Sequence, residues 1–124
     1  MKNDKVMLLY GLDEKERIMI SDMIQQYKLP DFQIITDDMC NMKIKDILRG
    51  LKFEILNSSL PKEKVVLFNN LNDKEVETAV KNMKAAIPEV IMAVVTPTSI
   101  DWSFRELIEH LIEERNWFKK QNGK

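Results

Sequence analysis

The feature that most limits what this chain can fold into is that it repeats its own opening. Displaced by 59 residues, Lys5-Val6-x-Leu8 falls on Lys64-Val65-x-Leu67, Leu12 on Leu71, and Lys15-Glu16 on Lys74-Glu75. These are six identities in twelve positions. A displacement of 60 then places Ile35-Thr36 on Val95-Thr96 and Ile44 on Phe104. Any two strand–helix units share an apolar rhythm, but rhythm alone gives little reason for a repeated Lys-Glu pair. The pattern is therefore read as two copies of a strand–helix–strand–helix unit, at approximately 5–57 and 64–120, inside one domain spanning 1–124.

Within the first copy, Val6-Met7-Leu8-Leu9 is an apolar run stopped by Tyr10-Gly11, which predicts a strand. Ile20, Met23, Ile24 and Tyr27 then recur at the spacing of a helix with one buried stripe, capped by Asp13 or a neighbour. Leu29-Pro30-Asp31 ends that helix, and Phe32-Gln33-Ile34-Ile35 follows as a second strand. Ile44, Ile47, Leu48 and Leu51 restore the helical spacing, with Gly50 a stop or weak point, and Asn57-Ser58-Ser59 marks a loop.

The second copy opens with Val65-Val66-Leu67-Phe68 as strand three. Val76, Ala79, Val80, Met83 and Ile87 mark the next helix, and Val90 to Val95 makes strand four. The last helix carries Phe104, Leu107, Ile108, Leu111 and Ile112 on one face. Ser103 and Glu106 have the spacing of a capping box at its start.

Two copies predict an α/β protein with a four-stranded sheet whose central strands are the first and third. Their unbroken apolar runs suit burial on both faces, whereas Gln33 suits an edge. Helical crossovers between all successive strands give a mainly parallel sheet with right-handed connections. Pairing of the copies about a pseudo-twofold axis gives instead a ferredoxin-like or related α+β fold with an antiparallel centre. The helix expected between strands two and three favours the mainly parallel form.

Composition bounds the function. A chain of 124 residues, 44% apolar and 31% charged, has the makings of an ordinary globular core. Nineteen basic residues against twenty acidic ones leave a net charge of −1, without the basic excess that phosphate backbones demand, so no nucleic-acid partner is expected. Cys40 is the sole cysteine, which rules out an internal disulfide. The single thiol, the absence of a run of about 18 apolar residues and a first strand that begins directly after Met1-Lys2-Asn3-Asp4 point to a cytoplasmic protein with no membrane partner. Cys40 and His110 are too few for a structural zinc site of about four ligands, so no metal or cofactor is expected.

The segment of most functional interest is Thr96-Pro97-Thr98-Ser99-Ile100-Asp101-Trp102, where strand four hands over to a helix. Such strand ends are common sites in open α/β sheets. Thr96, Thr98, Ser99, Asp101 and the free N–H groups of the last helix are candidates for holding an anion or hydrated metal. Asp37 and Asp38 occupy the equivalent place in the first copy. An all-parallel sheet brings both segments to one end, with Tyr10-Gly11 and Asn69-Asn70; the pseudo-twofold arrangement separates them. Turn and cap chemistry also accounts for these residues, with Pro97 stopping the strand and Trp102 covering the core's end.

Other constellations are weaker. A phosphoacceptor receiver domain needs acidic residues after strand one and an Asp after strand three, where this chain has Tyr10-Gly11 and Asn69-Asn70. No residue pattern supplies a nucleophile with a local base, and Gly11, Gly50 and Gly123 are too dispersed for a phosphate loop. Asp37-Asp38 beside Cys40 disfavours a thiolate. His110 lies off the apolar helix face and reads as solvated. Most of the eight Met residues lie on core faces, while Met39 and Met42 are placed in a loop where an adaptable binding surface is conceivable.

Thr96-Pro97-Thr98-Ser99-Ile100-Asp101-Trp102 with Phe104-x-x-Leu107-Ile108 resembles the signature of a small uncharacterised bacterial domain-of-unknown-function family. Its motif is of the Thr-Pro-Thr-Asn-x-x-Trp type before the last helix, and Ser99 stands in place of the Asn. The opening Val-Met-Leu-Leu-Tyr and the middle Val-Val-Leu-Phe strands are similar too. The resemblance implies the fold and no activity, substrate or catalytic residue. What remains is a non-catalytic interaction or regulatory module, binding a protein partner or itself through Trp102, Trp117 and Phe118. The alternative is a small-ligand domain or minor enzyme built on the strand-end segment.

Overall fold

The computed structural model describes residues 5–50 and 60–122. Leu51 of the second helical stripe and the Asn57-Ser58-Ser59 loop lie outside the described residues. In chain order the elements are β1 (Val6–Tyr10), α1 (Glu14–Tyr27), β2 (Phe32–Ile35), α2 (Ile44–Leu48), β3 (Val65–Asn69), α3 (Asp73–Ala86), β4 (Ile91–Val94) and α4 (Phe104–Asn122). Short 3-10 turns at Asp37–Met39 and Ser99–Asp101 follow β2 and β4. Among the described residues, no helix is long and apolar enough to cross a membrane.

Local chemistry explains where the helices begin. Asp13 caps α1: its carboxylate accepts from the Glu16 N–H at 2.8 Å, and Glu16 accepts from the Asp13 N–H at 2.9 Å. Asn72 and Glu75 repeat this capping box at the start of α3, with the same two distances. Each box satisfies N–H groups that the first helical turn leaves without partners. Both strand-to-helix turns also need left-handed backbone, at Gly11 (φ +79°) and Asn70 (φ +63°). A Cβ at Gly11 falls 2.0 Å from the Glu63 carbonyl oxygen, so even a methyl group is excluded there.

The sheet order is β2-β1-β3-β4. β1 and β3 are central, as their unbroken apolar runs predict, and β2 with Gln33 is an edge. The β1–β2 and β3–β4 pairs are parallel, but β1 and β3 are antiparallel, centred on Leu8 opposite Leu67. The sheet is thus mixed: two of its three strand pairs are parallel, while the expected helical crossover between strands two and three, which would have made the centre parallel too, is corrected. Among the described residues, the helix between strands two and three is shorter than such a crossover. A parallel return must carry the chain back along a strand of about 17 Å, and the five residues of α2 span only about 7.5 Å. β3 begins opposite Tyr10, at the sheet end where β1 and β2 finish, so no return is required.

The chain forms two compact units, neither continuous in sequence. The first joins residues up to Thr36 with Pro61–Val95 and holds the sheet, α1 and α3. Met7, Leu9, Val66 and Phe68 project from one sheet face into a core completed by Leu12, Ile20, Ala79, Met83 and Ile87. Leu8, Tyr10, Val65, Leu67 and Asn69, which alternate with them, are buried as well, so the central strands carry no solvent face. Each fully buried aliphatic or Phe side chain is worth about 1.5–3 kcal/mol against exposure.

Ion pairs cross this unit reciprocally. Lys5 contacts Glu75 at 3.1 Å, while Lys64 contacts Glu16 and, at 3.2 Å, Glu89. The hydrogen bonds that Lys64 donates to Glu16 and Glu89 raise its pKa above its ordinary value. The Glu75 pKa is lowered, first by its bond from the Asn72 backbone in the capping box and then by Lys5.

The second unit contains Asp37–Leu60 and Thr96 onward, with α2 and α4. Lys43 and Ser103 form an isolated antiparallel bridge. Beside it, the Ile44 N–H donates to the Trp102 carbonyl and the Phe104 N–H to the Met42 carbonyl, each at 2.9 Å. Met39, Cys40, Met42, Ile44, Ile47, Phe104, Leu107, Ile108 and Leu111 are buried.

Candidate functional site

Pro97 follows directly on the end of β4, and the next residues turn on a pair of hydroxyls. The Ser99 Oγ accepts from the Thr96 N–H at 2.9 Å, and the Thr96 Oγ1 accepts from the Ser99 N–H at 2.9 Å. The two hydroxyls are also bonded to each other at 3.2 Å. Ser99 is buried, whereas Thr98 is exposed and makes no side-chain cap bond. The Trp102 N–H closes the 3-10 turn onto the Ser99 carbonyl.

Asp101 is exposed and pairs with Lys45 at 3.2 Å. Both side chains are well hydrated, so such a pair contributes little, about 0–1 kcal/mol. Asp37 and Asp38 lie in the 3-10 turn after β2 and are exposed. Because β2 runs antiparallel to β4, the two strands finish at opposite ends of the sheet. Tyr10-Gly11 and Asn69-Asn70 divide between those ends in the same way. The strand ends are therefore not gathered at one end of the sheet, as an all-parallel sheet would have them. Among the described residues, no group of three or more His, Cys, Asp and Glu is placed to hold a metal ion.

Met39 and Met42 are buried, and so fill core rather than line a surface. Cys40 is fully buried, and its Sγ accepts from the Arg105 guanidinium at 3.2 Å. Arg105 also reaches Asn41 at 3.3 Å, and its N–H donates to the Cys40 carbonyl at 2.8 Å. Sequence reading missed this cluster, since nothing local links Arg105 to residues more than sixty positions away.

The capping box at Ser103 and Glu106 is present, with bonds of 3.0 and 3.1 Å, and starts α4 as expected. Early in α4, Phe104, Leu107, Ile108 and Leu111 are buried; from Glu113 to Lys120 only Arg115 is not exposed. Trp102, half-buried, meets His110 edge to face with ring centroids 5.3 Å apart. The His110 Nε2 lies 3.3 Å from Glu114, so the exposed histidine has a carboxylate neighbour one turn on. Trp102, Glu106, Glu109, His110 and Glu113 line a shallow, acidic concavity on this helix.

Trp117 and Phe118 are 57% and 60% exposed, the largest values among the exposed bulky apolar side chains. They do not fold back onto a core; their rings meet each other edge to face, with centroids 5.4 Å apart. Lys119 and Lys120 follow them.

No curated protein and no solved structure matches the chain. Residues 64–118, a little under half of it, match a family described as Domain of unknown function (DUF3783). The match begins at Lys64 and ends at Phe118, so it holds β3, α3, β4 and most of α4, and carries no stated activity.

Proposed function

We propose that this chain is a non-catalytic cytoplasmic interaction module made of two copies of one strand–helix–strand–helix unit, with Trp117 and Phe118 as its anchor. The exposed aromatic pair carries the reading. Two large rings more than half exposed forgo part of the roughly 1.5–3 kcal/mol that full burial of such a side chain supplies, and a partner covering them would recover it. Aromatic side chains are also the anchors that interfaces use most.

Duplication is supported by positions 59 or 60 apart doing the same work. The capping boxes of Asp13 and Asn72, the left-handed Gly11 and Asn70, and the bonds from Ile44 and Phe104 are equivalent pairs. Lys5 reaches Glu75 as Lys64 reaches Glu16, each copy supplying one end of the other's ion pair. A family match confined to 64–118 fits a unit that is present twice, once in diverged form.

The test is Trp117→Ala in the full chain. It should leave the unfolding midpoint within about 0.5 kcal/mol of the parent, as for other exposed positions, while weakening a discrete complex or dimer at least tenfold. Unchanged association would remove the anchor from the reading. The strand-end alternative is tested by thermal unfolding against divalent metals, phosphates and nucleotides. A ligand at 100 times its Kd adds about 2.7 kcal/mol, and loss of that shift in Asp101→Asn would move the function to Thr96–Asp101.

A further inference from the structure

The outward stripe of α4 is self-complementary. Glu106, Glu109, His110, Glu113, Trp117 and Lys120 lie within about 100° of arc on one side of the helix, and all six are exposed. Their spacing is symmetric about Glu113. Glu109 and Trp117 stand four residues before and after it, and Glu106 and Lys120 stand seven before and after. A twofold axis through Glu113 therefore lays Lys120 of one helix on Glu106 of another, and Trp117 on Glu109. The acidic concavity of Trp102, Glu106, Glu109, His110 and Glu113 then meets the partner's indole and ammonium group.

We propose that this stripe is a homodimer interface, in which α4 packs antiparallel against α4 of a second copy. The proposal rests on the reading of Trp117 as an anchor and names its partner and register. Charge complementarity selects the occupant. The half before Glu113 carries two carboxylates, the half after it an aromatic ring and a lysine, so a reversed copy matches attraction at both ends. A parallel copy opposes Glu106 to Glu106 and Lys120 to Lys120, which is repulsive at both ends. An isologous contact of this kind also closes on itself and cannot propagate into a filament. The two Glu113 carboxylates, which meet near the axis, oppose association, so Glu113→Gln should tighten the dimer.

The experiment is sedimentation of the full chain and of charge-reversed variants at tens of micromolar and low salt, with circular dichroism to check the fold. The parent chain should dimerise, and less so at high salt, where surface charges are screened. Lys120→Glu faces carboxylate with carboxylate, and Glu106→Lys faces ammonium with ammonium, so each variant alone should lose at least about tenfold in affinity. Mixing the two restores both opposite-charge contacts and should produce a heterodimer. Glu106→Lys with Lys120→Glu in one chain should dimerise like the parent. A dimer that is insensitive to both reversals but lost in Trp117→Ala would overturn the antiparallel register and leave the anchor standing. A monomeric parent chain would overturn self-association, while Trp117-dependent binding of a different protein would still uphold the wider reading.

Discussion

Gly11 and its counterpart show how one residue's freedom is used differently at two turns of the same shape. Both Gly11 and Asn70 are left-handed, and Asn is among the few residues with a side chain that accept this at modest cost. Gly11 additionally faces the Glu63 carbonyl at a distance that admits no Cβ. Gly11→Ala should therefore destabilise by about 2 kcal/mol or more, combining left-handed strain with displaced backbone. Denaturant midpoints would show it, and a near-neutral result would mean that the β1–α1 turn can remodel. The charged residues predict a pH profile with two limbs. Glu75 is depressed, so its stabilisation is complete above the ordinary carboxylate value and is lost as pH falls through the lowered one. Lys64 is raised, so its contribution is complete below the ordinary lysine value and is lost as pH rises through the raised one. Glu75→Gln should flatten the acid limb and Lys64→Met the alkaline limb when midpoints are measured across pH.

Elements were largely legible because their signals are local. The strands at Phe32–Ile35 and Val65–Asn69, and the helix starts at Asp13 and Ser103, follow from apolar runs and capping spacings within a few residues. Ser103→Ala should cost α4 about 1 kcal/mol, the usual value of a lost N-cap hydroxyl, read as a lower midpoint with unchanged denaturant slope. Strand direction was not legible in the same way. A strand buried on both faces has the same apolar pattern whether its neighbour is parallel or antiparallel. Of the expected stripe, Ile44, Ile47 and Leu48 fall in the five residues of α2, and Leu51 lies outside the described residues.

At the scale of the whole molecule, the candidate site was less legible than the fold. Thr96 and Ser99 are three residues apart and bond as turn chemistry suggests, but the Asp101–Lys45 and Arg105–Cys40 contacts join segments that no local pattern relates. Exposure of Trp117 and Phe118 was equally hidden, because a helix stripe does not announce where the body beneath it ends.

The discontinuity of both units bears on how the protein emerges during synthesis. β1 pairs with β2 early, yet its other edge waits for β3, whose partner residue for Leu8 is Leu67. The first unit cannot close before Val95 has been made, and the second draws its remaining half from Thr96 onward. Translation at roughly 5–20 residues per second leaves the apolar edge of β1 without its mate for several seconds. During that interval Met7, Leu8 and Leu9 present the kind of unpaired strand that holding chaperones bind, which makes the nascent first half, rather than the finished fold, the stage most exposed to misassembly.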